Sequence, residues 1–475
     1  MTQHRHRHRD ERAVVVGAGI AGLVAARVLA DHFRDVVLIE QDDITADTAY
    51  RRGTPQARHP HALPSRGCDV LERLFPGLRA ELSARGCPVI DMGKELNYLL
   101  PAGWAPKTPI GLTVHVMTRP TLEAHVRRRV LAIPEVTVRS GQRVVDLLWD
   151  DSRTRVLGVQ TVPTGDRGAR GVSQAAGIES SLVVCATGRT SVLPTWLSRA
   201  GYSTPRSVEV KGGITYSSCL LQPVESVTGA FRADAQLTFG PWFRRGGAAM
   251  TVEDNRCLVT LVGADGERPP NDPTGFRAYA ASLRHPGIAA ALKDPAALGP
   301  IYRMTNLNNE WTLYHRMPTW PNGLVAIGDA VCVLNPIYGQ GMLLAAVEAE
   351  LLGTLLSRWT SSRATRLERK FQQRVGRVIR VPWTMTTSTD LRWDSRRQHL
   401  GIRLMHWYAD QVLALIPGSP DVYRRFYQVS QLATPPWALL HPSILYAVAR
   451  ASGRSPTLTD NPLNAVDGQP LGESP

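Results

Sequence analysis

A glycine-rich turn between two apolar runs constrains the fold of this chain more than any other feature of its sequence. Gly17, Gly19 and Gly22 follow directly on the β-branched run at residues 13–16, and a helical pattern then leads to a second apolar run at residues 36–39. In such a turn the first glycine permits the tight bend, the second lets backbone N–H groups approach a pyrophosphate, and the third allows the helix to pack closely on the strand. The pattern predicts a βαβ unit of a parallel sheet that binds a dinucleotide.

An acidic residue ends the second apolar run. Glu40 lies 18 positions beyond Gly22, where a carboxylate can accept both hydroxyls of an adenosine ribose. A carboxylate at this point repels a 2′-phosphate, so the predicted dinucleotide is FAD or NAD and not NADP.

A second candidate ligand-binding segment lies some 300 residues later. The apolar run at residues 324–327 leads into Gly328 and Asp329, and Gly339 and Gly341 follow shortly before a helical pattern. At the carboxyl edge of a sheet the carboxylate of Asp329 can bind sugar hydroxyls. The two glycines let the backbone pass close to a flat ring, and the N-terminus of the helix favours negative charge there. These properties suit a flavin, whose reduced ring is anionic along its N1–C2=O edge.

A third segment completes a pattern that resembles a known family. The apolar run 182–185 ends in the turn 186–191, which alone indicates only a strand and a turn. Together with residues 17–22 and 328–329, it resembles in order and spacing the three fingerprints of group A flavoprotein monooxygenases, which have the p-hydroxybenzoate-hydroxylase-like fold. Within that group, the segments 53–61, 118–123, 186–191 and 335–342 look like the bacterial epoxidases of polyether polyketide pathways, relatives of squalene epoxidase.

The resemblance implies a site for FAD. Arg119 would contact the ribityl-pyrophosphate region, Asp329 the ribityl hydroxyls and pyrophosphate, and residues 339–342 the isoalloxazine ring, while Arg58 and its neighbours would form a loop against the flavin. The expected FAD-binding residues are Gly17, Gly19, Gly22, Glu40, Gln56, Arg58, Arg119, Val144, Gly328, Asp329, Gly339, Gly341 and Met342. No side chain is assigned a catalytic role because the flavin does the chemistry, but Pro336, Gly339 and Gln340 are expected near it.

One departure from the family concerns the reductant. The wider group usually has Asp-Gly where this chain has Thr187-Gly188, and an Arg where it has Pro194. The Asp-Gly motif is associated with both FAD and NAD(P)H binding. The resemblance therefore implies O2 as co-substrate and leaves two routes for the electrons, which are NAD(P)H as a transient reductant and a separate flavin reductase.

The order of the segments predicts an α/β protein with a Rossmann-type FAD-binding domain, an antiparallel-sheet substrate domain and a C-terminal helical region. Residues 341–452 are expected to be mainly helical, with breaks at Pro382, Pro417, Pro435 and Pro442. The expected divisions are a disordered lead-in (1–11), the FAD-binding domain in three parts (12–95, 117–204 and 321–360), a substrate-domain excursion (96–116), the substrate-binding β-sheet domain (205–320), C-terminal helices (361–455) and a loose tail (456–475).

Charge and cysteine patterns argue against several classes of protein. The chain has 55 basic and 41 acidic residues, but the basic residues are spread along its length without a stripe of interleaved aromatics, so nucleic-acid binding is not expected. No stretch of 18 or more residues is free of charges and helix breakers, which argues against a transmembrane segment. The six cysteines have no metal-ligand spacing, so they predict no metal site and indicate reduced thiols in a cytoplasmic protein.

The activity expected from the resemblance is that of an FAD-dependent epoxidase of secondary metabolism, such as antibiotic biosynthesis. It would transfer oxygen from a flavin hydroperoxide to an alkene of a hydrophobic polyketide or terpenoid. The apolar candidates for the substrate pocket are Leu220, Leu221, Leu237, Phe239, Trp242, Met250 and Leu261, and packing in the core is the alternative for each.

Three alternatives remain open. An aromatic hydroxylase of the same fold needs a base near a phenol ring, and His59, His61 and His115 are more typical of hydrogen-bonding loop residues. A geranylgeranyl-reductase-like enzyme would saturate an alkene, and a non-catalytic prenyl-binding protein would bind no flavin. A flavin halogenase is disfavoured because no W-x-W-x-I-P segment occurs.

Overall fold

The computed structural model describes residues 11–46, 48, 50–60, 63–165, 175–223, 233–305, 307–358, 367–393 and 400–451. Numbered in chain order, the strands are β1 (Arg12–Val16), β2 (Asp35–Ile39), β3 (Val89–Asp91), β4 (Asn97–Leu100), β5 (Gly103–Trp104), β6 (Thr113–His115), β7 (Val136–Arg139), β8 (Gln142–Trp149), β9 (Val156–Pro163), β10 (Ala176–Glu179), β11 (Leu182–Cys185), β12 (Ser207–Val210), β13 (Thr215–Leu221), β14 (Ala233–Gln236), β15 (Arg245–Thr251), β16 (Cys257–Gly263), β17 (Ile301–Met304), β18 (Asn309–Thr312), β19 (Leu324–Ala326) and β20 (Cys332–Val333). The α-helices span Ile20–Leu29, Ser65–Leu74, Leu78–Ala84, Met92–Glu95, Arg119–Leu131, Leu193–Arg199, Pro273–Ala281, Pro286–Ala290, Gln340–Ser357, Leu367–Asp390, Leu400–Leu415, Pro420–Ser430 and Pro442–Ala451. The expected lead-in at 1–10 and the expected tail at 456–475 lie outside the described residues.

A five-stranded parallel sheet of order β19-β11-β1-β2-β7 carries the glycine-rich turn. The valines of β1 are buried, as expected of a strand with helices on both faces. The helix Ile20–Leu29 connects β1 to its parallel neighbour β2, which confirms the predicted βαβ unit. Val16, Cys185 and Ala326 end three adjacent strands side by side, so the turns that follow them meet at one edge of the sheet.

The second large sheet corresponds to the expected substrate-binding domain, and we call it the substrate sheet. It has seven strands in the order β17-β13-β16-β15-β14-β4-β5. Its pairs are antiparallel, as expected, except that β14 and β4 run parallel. Strands β4 and β5 come from residues 97–104, far before the rest of the sheet, so an early segment of the chain extends it. Parallel pairing is available to β4 because no short hairpin joins it to β14.

Two predictions for this half of the chain are wrong. The sequence pattern of residues 312–316 predicts a strand, but β18 ends at Thr312 and Tyr314–Arg316 forms a short 3-10 helix. Tyr314 is buried there, with its ring 5.2 Å from that of Trp320, so packing against this aromatic ring overrides the strand pattern. A strand expected to reach residue 307 ends at Met304.

The C-terminal region is helical, but Pro382 does not break it as predicted. Pro382 lies inside the helix Leu367–Asp390. The preceding turns bury Phe371, Val375 and Ile379 completely, and this packing outweighs the hydrogen bond that proline removes. The helices on either side of Pro417 and of Pro435 end and begin as predicted, and Pro442 starts the last helix. Among the described helices, none has the length and apolar character needed to cross a membrane.

Candidate functional site

A cavity of about 580 Å³ opens where β1, β11 and β19 end. The turn after each strand contributes to its lining, with Gly17 after β1, Thr187 after β11 and Asp329 after β19. The residues expected from the sequence that line it are Gly17, Gly19, Glu40, Gln56, Arg119, Val144, Gly328, Asp329, Pro336, Gly339, Gly341 and Met342. Its volume is in the range usual for small-molecule and cofactor sites.

Three of the expected residues lie behind the lining of the cavity. Gly22 packs the helix on β1, because an added Cβ would lie 1.7 Å from the carbonyl oxygen of Gly17. The guanidinium of Arg58 stacks on the rings of Tyr50 and Tyr302, at 4.5 and 4.1 Å from their centroids. Arg58 therefore holds its loop to the substrate sheet instead of facing the cavity. Gln340 is buried and accepts a hydrogen bond from the Thr386 hydroxyl at 3.3 Å.

The first glycine turn has the shape that a phosphate needs. Gly17 has φ +100°, and a side chain there would clash with the carbonyl oxygen of Ala186 at 2.5 Å. A Cβ on Gly19 would meet nothing within 4 Å. The helix Ile20–Leu29 begins directly after Gly19, and no side chain caps its N-terminus. Its first N–H groups and the positive end of its dipole are therefore available to an anion.

The carboxylate of Glu40 already accepts three hydrogen bonds from the protein. Its Oε2 accepts from the backbone N–H of Ala18 at 2.8 Å and from Nη1 of Arg51 at 3.0 Å, and its Oε1 accepts from the N–H of Asp42 at 3.1 Å. A carboxylate offers about four acceptor positions, so Glu40 retains about one for a ribose hydroxyl, fewer than the two predicted.

Arg51 joins this carboxylate to a second one and was missed by sequence reasoning. Its Nη2 contacts Glu123 and also donates to the carbonyl oxygen of Ala18 at 3.1 Å. Burial lowers the pKa of Arg51, but the charges of Glu123 and Glu40 outweigh it and raise that pKa. No local pattern marks Arg51, because its partners are 11 and 72 positions away.

Asp329 lies at the opposite end of the polar lining from Glu40. Burial raises its pKa, and the positive charges of Arg119 and Arg189 oppose that shift. A Cβ on Gly341 would lie 3.6 Å from its Oδ1, so the glycine leaves the carboxylate open toward the cavity. The position beside two cations suits a carboxylate that accepts hydroxyl hydrogen bonds.

Glu348 supports the turn that carries Asp329 and was also missed. Its Oε2 accepts from the N–H of Gly328 at 2.6 Å, and burial raises the pKa of Glu348 to about 8. A sequence signal did exist, since Glu348 is a lone acid on the same helical face as the buried Ala345 and Leu352.

A histidine and two hydroxyls border the cavity on the side of the substrate sheet. Nδ1 of His59 lies 2.8 Å from Oγ of Ser218, which lies 2.6 Å from Oγ1 of Thr260. Burial lowers the pKa of His59 to about 4, so its imidazole is neutral at pH 7. His115 lies elsewhere, 3.1 Å from the Ser83 hydroxyl, and His61 falls outside the described residues.

The apolar wall of the cavity differs from the prediction. Leu220, Leu237, Phe239 and Met250 pack toward a core formed with the C-terminal helices, Leu221 and Leu261 belong to a separate core, and Trp242 is exposed. The aromatic and apolar residues that face the cavity from this side are Tyr216, Met304, Leu307 and Leu334. Six of the seven candidates are therefore core-packing residues and none lines this cavity, because strand alternation gives two faces without indicating which one meets the cavity.

The cysteines and acidic residues give no sign of a metal centre. All six cysteines are buried and free. In the part of the chain that the structure describes, no group of three or more His, Cys, Asp and Glu side chains is arranged to hold a metal ion.

Comparisons with solved structures define the class of fold. A flavoprotein/dehydrogenase from Cytophaga hutchinsonii matches with a TM-score of 0.65 and 16% identity over 94% of this chain and 100% of that one. A variant of HpxO from Klebsiella pneumoniae, complexed with FAD, matches with a TM-score of 0.59 and 17% identity over 90% and 99%. PqsL, a probable FAD-dependent monooxygenase from Pseudomonas aeruginosa, matches with a TM-score of 0.58 and 16% identity over 83% and 99%. The chain therefore has the Rossmann-type α/β fold of flavoprotein monooxygenases, with mixed sheets and a helical C-terminal region.

Sequence comparisons identify its family. The family model of the NAD(P)-binding Rossmann-like domain matches residues 15–67, which contain the first glycine turn and Glu40. Protein Rv3254 of Mycobacterium tuberculosis (strain ATCC 25618 / H37Rv) is 32% identical over 393 residues, which cover 80% of this chain and 80% of that protein. The chain belongs to the family of Protein Rv3254.

Proposed function

We propose that this protein is an FAD-dependent monooxygenase that uses NAD(P)H and O2. One observation carries the proposal: three glycine turns that are far apart in the sequence open into one cavity, with Glu40 and Asp329 in its lining. The fold is shared with HpxO, which was solved with FAD, and with PqsL, named a probable FAD-dependent monooxygenase, and this supports the choice of cofactor.

The polar groups in the lining of the cavity support the choice of FAD. The open backbone at Gly19 and the uncapped helix behind it would hold the pyrophosphate. Glu40 would accept a ribose hydroxyl, Asp329 and Arg119 would hold the ribityl chain, and the backbone at Gly341 would approach the ring. Bound there, FAD supplies the redox chemistry that lets O2 react with the substrate.

The protein contributes placement and exclusion of water. Met304, Leu307 and Leu334 give the cavity an apolar wall next to the loop at residues 336–341. Holding two reactants in the productive geometry lowers a barrier by about 7–11 kcal/mol, and an apolar wall keeps water from competing for the reactive oxygen.

For the reaction itself, we propose epoxidation of an alkene in a hydrophobic polyketide or terpenoid. An alkene has no proton that must be removed, so its attack on an electrophilic oxygen needs position and no basic side chain. The apolar wall supports this choice, as does the resemblance of residues 53–61 and 335–342 to polyether epoxidases.

A second candidate, hydroxylation of a phenol, is favoured by His59. A phenol gains reactivity when a base withdraws its proton. The neutral imidazole of His59 lines the cavity and carries one unprotonated ring nitrogen, and its Nδ1 is hydrogen-bonded to the Ser218 hydroxyl.

Oxygen labelling separates these activities. The protein is reduced anaerobically and exposed to labelled O2 with a panel of alkenes and phenols, and the products are examined by mass spectrometry. One labelled oxygen in an epoxide, formed at the same rate by His59→Asn, is the expected result. A labelled phenol whose formation falls at least about 100-fold in His59→Asn, but not in His115→Asn, selects the hydroxylase.

Two outcomes would overturn the proposal of oxygen transfer. Products with two added hydrogens and no label would indicate an alkene reductase. A protein that binds prenylated ligands and takes up no FAD would indicate a non-catalytic binding role.

The proposal also covers the supply of electrons and the location of the protein. Thr187 and Gly188 line the cavity where the wider group has Asp-Gly, so we propose that NAD(P)H either docks transiently or acts through a separate flavin reductase. Anaerobic bleaching of bound FAD by NADH or NADPH alone selects the first route. The six buried free cysteines support a cytoplasmic location.

A further inference from the structure

A buried carboxylate outside the cavity is connected to its wall by hydrogen bonds. Asp390 is the last residue of the helix Leu367–Asp390 and is 3% exposed. Its Oδ2 accepts from Nδ2 of Asn309 at 2.6 Å, and both its oxygens lie 3.3 Å from Nδ2 of Asn335. Burial raises the pKa of Asp390 to about 6, and the two amide donors oppose that shift.

Asp390 determines how the amide of Asn335 is oriented. An ionised carboxylate only accepts hydrogen bonds, so the NH2 group of Asn335 must face Asp390 and its Oδ1 must point the other way. That Oδ1 accepts from the Tyr216 hydroxyl at 3.2 Å and from the N–H of Ile337 at 3.2 Å. The N–H of Asn335 is also held, at 2.7 Å from Oδ1 of Asn309.

Of the two groups that Asn335 holds, the Tyr216 side chain lines the cavity, and the N–H of Ile337 lies in the turn that contains Pro336, which also lines it. Ile337 lies in the short 3-10 turn Pro336–Tyr338, which leads through Gly339 at φ +64° into the helix Gln340–Ser357. Pro336, Gly339 and Tyr216 line the cavity. The backbone of Gly212 packs closely against the carboxylate, since a Cβ on Gly212 would lie 2.6 Å from the Cγ of Asp390.

We propose that Asp390 is a positioning residue of the active site. Acting through Asn335, it sets the conformation of the loop at residues 335–341 and the direction of the Tyr216 hydroxyl, and so links the C-terminal helices to the cavity. This inference rests on the proposed function, since the loop is the part of the wall that would face the FAD ring.

FAD binding tests the inference without relying on turnover. We expect Asp390→Asn and Asp390→Ala to weaken FAD binding about tenfold and to shift the visible absorption of the bound flavin. The asparagine keeps one acceptor oxygen where the carboxylate has two and adds a donor, and the alanine keeps none, so neither fixes the amide of Asn335 as Asp390 does. Asp421→Asn is the matched control, because Asp421 belongs to another C-terminal helix and pairs with Arg425 at the surface at 3.0 Å. It should leave both readouts unchanged.

A double variant tests the connection itself. If Asp390 acts through Asn335 on Tyr216, the loss of FAD affinity in Asp390→Asn/Tyr216→Phe is smaller than the product of the two single losses. A loss equal to that product, or wild-type affinity and spectrum in both Asp390 variants, would overturn the inference. Should neither Asp390 variant fold, Asn335→Ala replaces them, and wild-type FAD binding there would overturn it equally. A wild-type protein that binds no FAD would instead refute the proposed function.

Discussion

At the scale of single residues, the site is built from buried charges that satisfy one another. Glu40 and Glu123 share Arg51, whose side chain is 2% exposed. The role of Glu40 as a ribose-binding residue was predicted from its position after β2. Its partner Arg51 could not be predicted in that way. Burying a charge is costly unless an opposite charge and hydrogen bonds accompany it. Glu40 therefore needs Arg51 to remain ionised in the folded protein.

Removing Arg51 should destabilise the protein before any cofactor is considered. In Arg51→Leu, Glu40 and Glu123 stay buried without their shared cation, and we expect the free energy of unfolding to fall by about 3–5 kcal/mol. Urea denaturation of the FAD-free protein measures this. The neighbouring Arg52→Leu is the control, because Arg52 is exposed and should change stability by less than about 0.5 kcal/mol. Equal stability of the two variants would contradict the role assigned to Arg51.

Glu348 predicts a pH dependence with a definite sign. Its pKa is raised from 4.5 in the unfolded reference to about 8 in the folded protein. Between these values the unfolded chain binds fewer protons, so the free energy of unfolding falls as pH rises and levels off above about pH 8. Glu348→Gln removes this contribution, and its stability relative to wild type should increase with pH, by at most about 1.4 kcal/mol per unit.

Denaturation of the FAD-free protein at several pH values between 5 and 8 checks this prediction. Glu350→Gln serves as control because Glu350 lies on the same helix and forms an exposed pair with Arg73. A pH-independent difference between Glu348→Gln and wild type would show that Glu348 is ionised in the folded state.

At the scale of elements, one turn of the substrate sheet holds the helix that presents Arg119. Glu253, in the 3-10 turn between β15 and β16, accepts from the Thr118 N–H at 3.0 Å and hydroxyl at 2.6 Å, and from the Thr121 hydroxyl at 2.7 Å. These bonds satisfy donors at the N-terminus of the helix Arg119–Leu131. Glu253, 135 positions from Thr118, therefore caps this helix in place of a side chain close by in the sequence.

Glu253→Ala should loosen this helix end and weaken FAD binding together. We expect a loss of about 1–3 kcal/mol in unfolding free energy from the unsatisfied donors and weaker FAD binding because Arg119 begins the helix. Denaturation and an FAD titration measure the two effects. Asp254→Asn, in the same turn but exposed and paired with Arg85, should retain wild-type FAD affinity. Wild-type FAD affinity in Glu253→Ala would contradict the claim that Glu253 supports FAD binding through this helix end.

Elements with strong local signals were predictable, and long-range partners were not. The βαβ unit and the strand Leu182–Cys185 follow from periodicity and turn residues and were predicted as observed. Pro382 and residues 312–316 were mispredicted because burial of neighbouring side chains decided their conformation. Asp390 and Arg51 act on partners dozens of positions away, and nothing in their immediate sequence marks them.

At the scale of the whole molecule, the topology explains why the motifs lie so far apart. β19, β11 and β1 are adjacent in the sheet although almost 140 positions separate β11 from β19 along the chain. Five of the seven strands of the substrate sheet, β13 to β17, are inserted between these two strands, so the polypeptide leaves the dinucleotide edge, builds most of the second sheet and returns. The apolar wall from Met304 and Leu307 thereby reaches the cavity formed by the glycine turns.

An FAD titration of wild-type protein and Gly19→Val tests the proposed cofactor site most directly. A Cβ at position 19 would meet no atom within 4 Å, so the variant should fold with an unchanged melting temperature while its methyl groups occupy the place of the pyrophosphate. Gly418→Val, which also points into open space, controls for the substitution itself. We expect wild type and Gly418→Val to bind FAD and turn yellow, and Gly19→Val to bind it at least about 100-fold more weakly, a loss of about 2.7 kcal/mol. Equal FAD affinity in all three proteins, or no FAD binding by wild type, would contradict the site described above.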